Sequence, residues 1–362
     1  MFRTRTARPA LLVAAGAVLA LTLAACGGGG GDAASSSAAP ETSSSSSSSA
    51  EPAPTDNGGA PLDAKIAYLS ASSANTWLQA SKAAMQMVGA QDGVELVEFD
   101  AQFTPGEQAK QIQDVIASGD YDGIIIAGID GAALIPDLQA AIAAGLPVVV
   151  LNQVIGEKLD TAEPQFEGAS ASVMVPPLES GRLLGQLTLN ACEGVSPCNV
   201  VYFYGIKGTP IDTAVKMGFD EVTAANSDIV IVAEAEGQYL GPDVALAAMQ
   251  DVMQRTKDFS VVTGPDQAMV GVELALTDAS VTDVKIIGFG GSEIAIASVK
   301  DGKWYGDLFG APYTEGELAM QAMIAALRDG TVTGGVNPLA DFPNGGLVTA
   351  DNVSDFTPQW AG

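Results

Sequence analysis

The chain has 362 residues, with 43 Asp and Glu against 16 Lys and Arg, for a net charge of −27. A balance of that sign repels nucleic acid and anionic lipid, so neither is expected as a direct partner. Histidine is absent, which excludes Ser-His-Asp and Cys-His nucleophile activation and every histidine-ligated metal site.

Arg3, Arg5 and Arg8 precede an apolar run from Leu11 to Leu23, which leads into Ala24-Ala25-Cys26. Residues 1–25 have the pattern of a secretory signal, with small residues before the cut. The run is well short of the ~20 residues that span a bilayer as a helix. A cysteine directly after Leu-Ala-Ala resembles a bacterial lipobox, in which Cys26 becomes the lipidated first residue. Ordinary cleavage near Ala25, with an incidental cysteine, is the alternative. Residues 26–61 hold Gly27 to Gly31, Ser43 to Ser49 and Pro40, Pro52 and Pro54. Such a composition cannot offset backbone entropy and is expected to form a disordered linker, reaching roughly 30–35 Å as a flexible coil. The expected location is extracytoplasmic, on the outer face of the cell membrane and held there by lipid alone. Cys192 and Cys198 then remain as a pair in an oxidising compartment, and a structural disulfide is expected. Closing so short a loop contributes about 2 kcal/mol.

From Leu62 onward the chain alternates strand and helix. Lys65–Ser70 reads as a strand, followed by a helix with Trp77, Leu78, Ser81, Met85 and Val88 on one face. Leu96–Phe99 is a strand, and Gly106–Ser118 a helix with Ala109, Ile112, Val115 and Ile116 inward. Gly123–Ile129 is a continuous apolar run, as in a strand buried on both faces. A helix carrying Ile135, Leu138 and Ile142 ends at Gly145, and Pro147–Leu151 is the next strand. The pattern restarts with strands at Asn199–Tyr204, Ile229–Ala233, Ser260–Thr263 and Val284–Phe289. Helices around Val215, Phe219 and Val222, at Asp243–Thr256 and at Gln267–Leu276 separate them. Ser292 and Glu293 read as an N-cap pair opening another helix. A strand at Tyr305–Phe309, a helix from Thr314 to Arg328 and a strand at Gly346–Thr349 complete the series. The fold class is α/β, and two doubly wound units fit better than one ten-stranded parallel sheet.

The ordered motifs resemble the type I periplasmic binding proteins, in the ribose-binding-like branch that serves sugar transporters. The likeness runs from about Lys65 to Asp355. It rests on Asn75-Thr76-Trp77, on Asp100 with Gln108 to Ile116, and on Gly119-Asp120-Tyr121-Asp122-Gly123-Ile124-Ile125-Ile126. Ala144-Gly145-Leu146-Pro147-Val148-Val149, Gly205-Ile206-Lys207-Gly208-Thr209 with Gly218-Phe219, and Ile286-Ile287-Gly288-Phe289 follow. Leu347-Val348-Thr349-Ala350-Asp351-Asn352-Val353 closes the set. The resemblance implies two Rossmann-like lobes joined by three crossover segments, with ligand in the cleft. Residues 62–172 with 311–340 would form the N-terminal lobe, and residues 173–310 with 341–362 the C-terminal lobe.

Ligands of open α/β sheets bind outside the carboxyl ends of the strands. Ser72, Asn75 and Trp77 follow the first strand, where the family places an asparagine for a hydroxyl and an aromatic over a sugar face. Burial of Trp77 in the core is the alternative. Tyr239 falls where the family often has a second aromatic, or it is an exposed loop residue. Elsewhere the chain departs from the family. Asn152-Gln153 replaces an Asp-Arg pair, Val215 an arginine, and Pro265-Asp266 an Asn-Asp. Gly290 stands for an aspartate and Gly310, beside Phe309, for a polar residue. The resemblance implies that Lys207 and Asp212, flanking a helix start, face the cleft; simple solvation is the alternative. The candidate ligand-binding set is therefore Ser72, Asn75, Trp77, Asn152, Gln153, Asp212, Tyr239, Asp266, Gly290 and Phe309. Charge-assisted hydrogen bonds are worth roughly 1.5–3 kcal/mol each, so losing several together argues against tight ribose binding. A small neutral ligand, less polar or larger than a pentose, is expected. Polyols, furanoses, cyclitols, nucleosides and hydroxylated aromatics all remain open.

The resemblance implies a monomeric solute-binding protein of a sugar-type ABC importer, closing by hinge motion and docking on a permease without enzymatic chemistry or a cofactor. A ligand-presenting sensor for a membrane receptor is the rival, and a secreted glycosidase using two carboxylates is a remote one. Gly288-Phe289-Gly290-Gly291 lacks the third glycine and the acidic partner of a dinucleotide site. No DNA-binding helix pair precedes Lys65.

Overall fold

The computed structural model describes residues 60–362; the expected signal, Cys26 and nearly all of the linker lie outside them. Within it, β1 (Ala64–Ser70), β2 (Val94–Asp100), β3 (Gly123–Ile126), β4 (Val148–Leu151), β5 (Ala171–Val173) and β11 (Gly334–Val336) form a parallel sheet in the order β2-β1-β3-β4-β5-β11. A second sheet uses β6 (Cys198–Tyr204), β7 (Ile229–Glu236), β8 (Val261–Thr263), β9 (Lys285–Gly290), β10 (Gly306–Phe309) and β12 (Leu347–Thr349). Its order is β7-β6-β8-β9-β10-β12, with β12 alone antiparallel. Two α/β lobes with the same winding therefore stand in place of one long sheet.

Both faces of each sheet are covered, which is why the strands read as continuous apolar runs. In the first lobe, Ile66 and Tyr68 of β1, Ile125 and Val149 face Met85 and Val88 of α1 (Thr76–Gln91) and Met320 and Met323 of α9 (Pro312–Asp329). The alternate residues Ala67, Leu69, Ile124 and Ile126 face Ile112 and Val115 of α2 (Pro105–Ser118) and Leu138 of α3 (Ile135–Ala143). In the second lobe, α4 (Pro177–Ala191) and α5 (Pro210–Thr223) cover one face through Leu184, Leu187, Val215 and Phe219. The opposite face carries α6 (Asp243–Arg255), α7 (Asp266–Asp278) and α8 (Glu293–Lys300). Ser292 caps α8, its hydroxyl accepting from Ala295 N, as its position before Glu293 predicts.

Three elements escape the apolar pattern. β5 and β11 have only three residues each, too few for an alternation to register. The inward face of α4 is built on Ser180, Gly181, Gly185 and Thr188 beside its leucines, so its helical period is carried mainly by small side chains. The chain passes between lobes three times: after β5, at residues 174–176; after β10, at 310–311; and after β11, at 337–346. Cys192 and Cys198 are disulfide-bonded with Cα atoms 5.7 Å apart, tying the end of α4 to the start of β6.

Candidate functional site

The carboxyl ends of both sheets open onto one cavity of about 750 Å³, open solvent included. Ala71 enters it after β1, Gly128 and Ile129 after β3, and Asn152 and Gln153 after β4, while the first turn of α1 adds Trp77 and Leu78. From the other lobe come Ile206 and Thr209 after β6, Tyr239 after β7, Gln267 at the start of α7 and Phe289 in β9. In each sheet the order reverses between the first strand and its neighbours, and the crevice forms there because the following loops diverge.

Five sequence-predicted residues meet here: Asn75, Trp77, Asn152, Gln153 and Tyr239. Asn75 caps α1, its Oδ1 accepting from Leu78 N at 2.9 Å, and its Nδ2 donates across the cleft to the Tyr239 carbonyl at 2.9 Å. Both ends of this amide are therefore engaged by protein, where the sequence suggested a bond to a ligand hydroxyl. The Trp77 indole donates to Glu315 Oε2 at 2.9 Å and meets Trp360 edge to face, centroids 5.5 Å apart. Asn152 donates to the same carboxyl at 3.2 Å and accepts from Gln153 Nε2 at 2.8 Å. The Tyr239 ring lies on the Gly205 backbone so closely that a Cβ there would sit 1.9 Å from Cζ.

The other five candidates lie outside this cavity. Ser72 is buried, with its hydroxyl accepting from Ala74 N at 3.3 Å. Asp212 is buried behind the wall, where it accepts from Gly205 N (2.7 Å), Ile206 N (3.1 Å), Thr209 Oγ1 (2.8 Å) and Tyr239 Oη (3.0 Å). It shapes the loop and fixes the tyrosine, so it needs no ligand contact. Desolvation pushes its pKa up, and those hydrogen bonds oppose the rise. Lys207, its neighbour on the loop, is exposed and pairs with Glu234 at 2.8 Å.

Asp266 is fully buried and hydrogen-bonds to Asp307, while accepting from Ser292 N at 2.8 Å. The facing oxygens, Asp266 Oδ1 and Asp307 Oδ2, have no other partner, so one shared proton satisfies both. Burial, and for Asp307 the neighbouring carboxyl, push both pKa values up. Gly290 accepts from Trp360 Nε1 at 2.7 Å, and a Cβ there would lie 2.8 Å from that indole and 2.9 Å from Asp266. The family's aspartate has no room at this point. Gly310 is constrained likewise, since a Cβ would sit 2.2 Å from the Trp77 ring. Phe309 packs on Phe342 and Phe356, centroids 5.1 and 5.2 Å away, in a recess of about 370 Å³ that adjoins the cavity across Trp77, Asn152, Ile211 and Phe289.

Several contributors were not legible in the sequence, among them Gln267 and Phe289 of the lining, and two more are informative. Glu315 is 1 % exposed in the first turn of α9, where an acid is unremarkable next to the helix dipole. Desolvation pushes its carboxyl up to about 8 against the pull of the Trp77 and Asn152 hydrogen bonds. Trp360 comes from the closing segment, beyond the motifs. That segment also reaches the first lobe, where Thr76 Oγ1 donates to the Gly362 carbonyl at 2.9 Å.

Residues 66–331 match the family described as periplasmic binding protein domain, and the chain belongs to it, in the type I, ribose-binding-like branch. Among its relatives, the ribose import binding protein RbsB of Bacillus subtilis is 25% identical over 235 residues, covering 64% of this chain and 70% of the relative. A xylitol-binding protein of Mycolicibacterium smegmatis is 24% identical over 291 residues, covering 77% of this chain and 75% of the other. An ABC transporter solute-binding protein from Mycobacterium smegmatis, solved with bound glycerol, superposes with a TM-score of 0.71 at 26% identity, covering 84% of this chain and all (100%) of that one.

Proposed function

We propose that the chain is the extracytoplasmic solute-binding component of an ABC importer, capturing a small, neutral, hydroxylated compound: a sugar, a polyol or a less polar relative. The observation that carries this reading is the uncharged cavity at the carboxyl ends of both sheets, whose opposite walls meet through the Asn75–Tyr239 hydrogen bond. Trp77, Gln153, Tyr239, Gln267 and Trp360 are the ligand contacts in this reading. The lobe built on the first sheet closes on the lobe built on the second by bending at the crossings, the expected boundary at 172/173 moving past Val173, which pairs with Leu151 and Val336 inside the first sheet. Ligand favours the closed form because it touches both walls only there. A permease recognises that form, and a lipid on Cys26 holds the monomer at the outer face of the membrane. The protein transforms nothing.

Thermal shift across neutral sugars, polyols, cyclitols and aromatic alcohols tests the reading. A true ligand raises Tm and is recovered unchanged by mass spectrometry; chemical conversion of it overturns the proposal. Metabolic labelling with an alkyne fatty acid should mark the wild type and not Cys26→Ala.

A further inference from the structure

The cavity offers room but little polarity. None of its lining side chains is charged. Asn75 is engaged by Leu78 and Tyr239, Asn152 by Glu315 and Gln153, and the Thr209 hydroxyl by Ile206 and Asp212. The Tyr239 hydroxyl donates to Asp212. Two amides keep unused capacity. Gln153 donates to Asn152, which leaves its Oε1 without a partner among the described residues. Gln267, although buried, has a side chain that hydrogen-bonds to none of them. The two amides belong to opposite lobes, Gln153 after β4 and Gln267 opening α7. The rest of the wall is aliphatic or aromatic, with rings from Trp77, Phe103, Phe289 and Trp360.

Resting on the binding-protein reading above, we infer that the cleft selects a neutral aromatic ring bearing one or two hydroxyl groups, a phenol or an aromatic alcohol, over polyhydroxylated sugars and polyols. Two amides satisfy two hydroxyls. Gln153 Oε1 accepts one O–H, and Gln267 donates to or accepts from a second. Each further hydroxyl stripped of water against an apolar wall weakens binding by about tenfold or more. An aromatic face loses nothing on desolvation and gains contact with the indole rings.

Calorimetry on the purified chain tests this, with benzyl alcohol, resorcinol and 4-hydroxybenzyl alcohol set against ribose, xylitol and myo-inositol. The best aromatic alcohol should bind at least tenfold tighter than any polyol. Gln267→Ala should weaken it about tenfold, with Gln153→Ala as the second variant and Tm of the free proteins as the folding control. A polyol that binds as tightly as the best aromatic overturns the inference and leaves the binding-protein reading standing. Binding of neither class, or unchanged affinity in both variants, overturns it as well. Conversion of any probe would instead sink the parent reading.

Discussion

Glu315 couples the site to pH. Its carboxyl ionises near 4.5 in an unfolded chain and near 8 in the folded one, because burial strips its water. Between those values the folded state retains a proton that the unfolded state releases, so stability declines as pH rises from about 4.5 to 8. The slope is at most about 1.4 kcal/mol per pH unit for this one group. The raised Asp266–Asp307 pair acts in the same direction. Tm should therefore fall between pH 5.5 and pH 8.5, and Glu315→Gln, which keeps shape and an acceptor, should flatten that decline and raise Tm at the alkaline end. An unchanged profile in the variant would remove Glu315 as the cause. Asn75 separates capping from closure. Asn75→Asp retains the acceptor for Leu78 N but loses the donor to Tyr239. Stability should hold, while ligand affinity drops about three- to tenfold by calorimetry. Asn75→Ala should add a loss of about 1 kcal/mol in stability, measured by urea denaturation.

At the level of elements, the second lobe depends on the approach of α4 to α5. A Cβ on Gly181 would sit 2.1 Å from the Val215 carbonyl oxygen, and one on Gly218 the same 2.1 Å from that of Leu178. Neither obstacle is a side chain that can swing away, so the helices must separate. Gly181→Ala should cost about 1–3 kcal/mol, visible as a lower urea midpoint with an unchanged m-value. A neutral result would mean that the helices slide apart freely. The Cys192–Cys198 bridge reinforces the same region by joining α4 to β6. Its removal in a Cys192→Ser, Cys198→Ser double variant should cost about 2 kcal/mol in the same assay, as the closure of so short a loop implies.

At the scale of the whole molecule, the two lobes share one winding order and are linked by three short crossings. Short connections between two separately packed cores permit bending without repacking either core. The walls are joined by the Asn75–Tyr239 bond, and Gly131 lies so near Pro210 that a Cβ there would be 3.0 Å from its ring. Ligand-free protein in solution should have a larger radius of gyration by small-angle scattering than ligand-saturated protein. The difference should grow in Asn75→Asp, whose open form lacks a competitor. Equal radii with and without ligand would rule out hinge closure.

The sequence alone determined the α/β class, the restart of the pattern near Asn199, most of the strands, the cysteine pair and five of the cavity residues. The class, the restart and the strands are written in local periodicity and the cysteine pair in a simple count, while the five cavity residues came from the resemblance to the family's motifs; all of these are local signals that survive without coordinates. Tertiary structure alone decided that Asp212 and Asp266 are internal braces, that Gly290 and Gly310 make room for Trp360 and Trp77, and that Glu315 stands behind the site. It also brought in Trp360 from the far end of the chain. Whether a polar side chain meets a ligand or another part of the chain depends on what packs against it, and those partners lie far away in sequence, Glu315 238 residues from Trp77 and Gly362 286 from Thr76. No local period encodes such a distance.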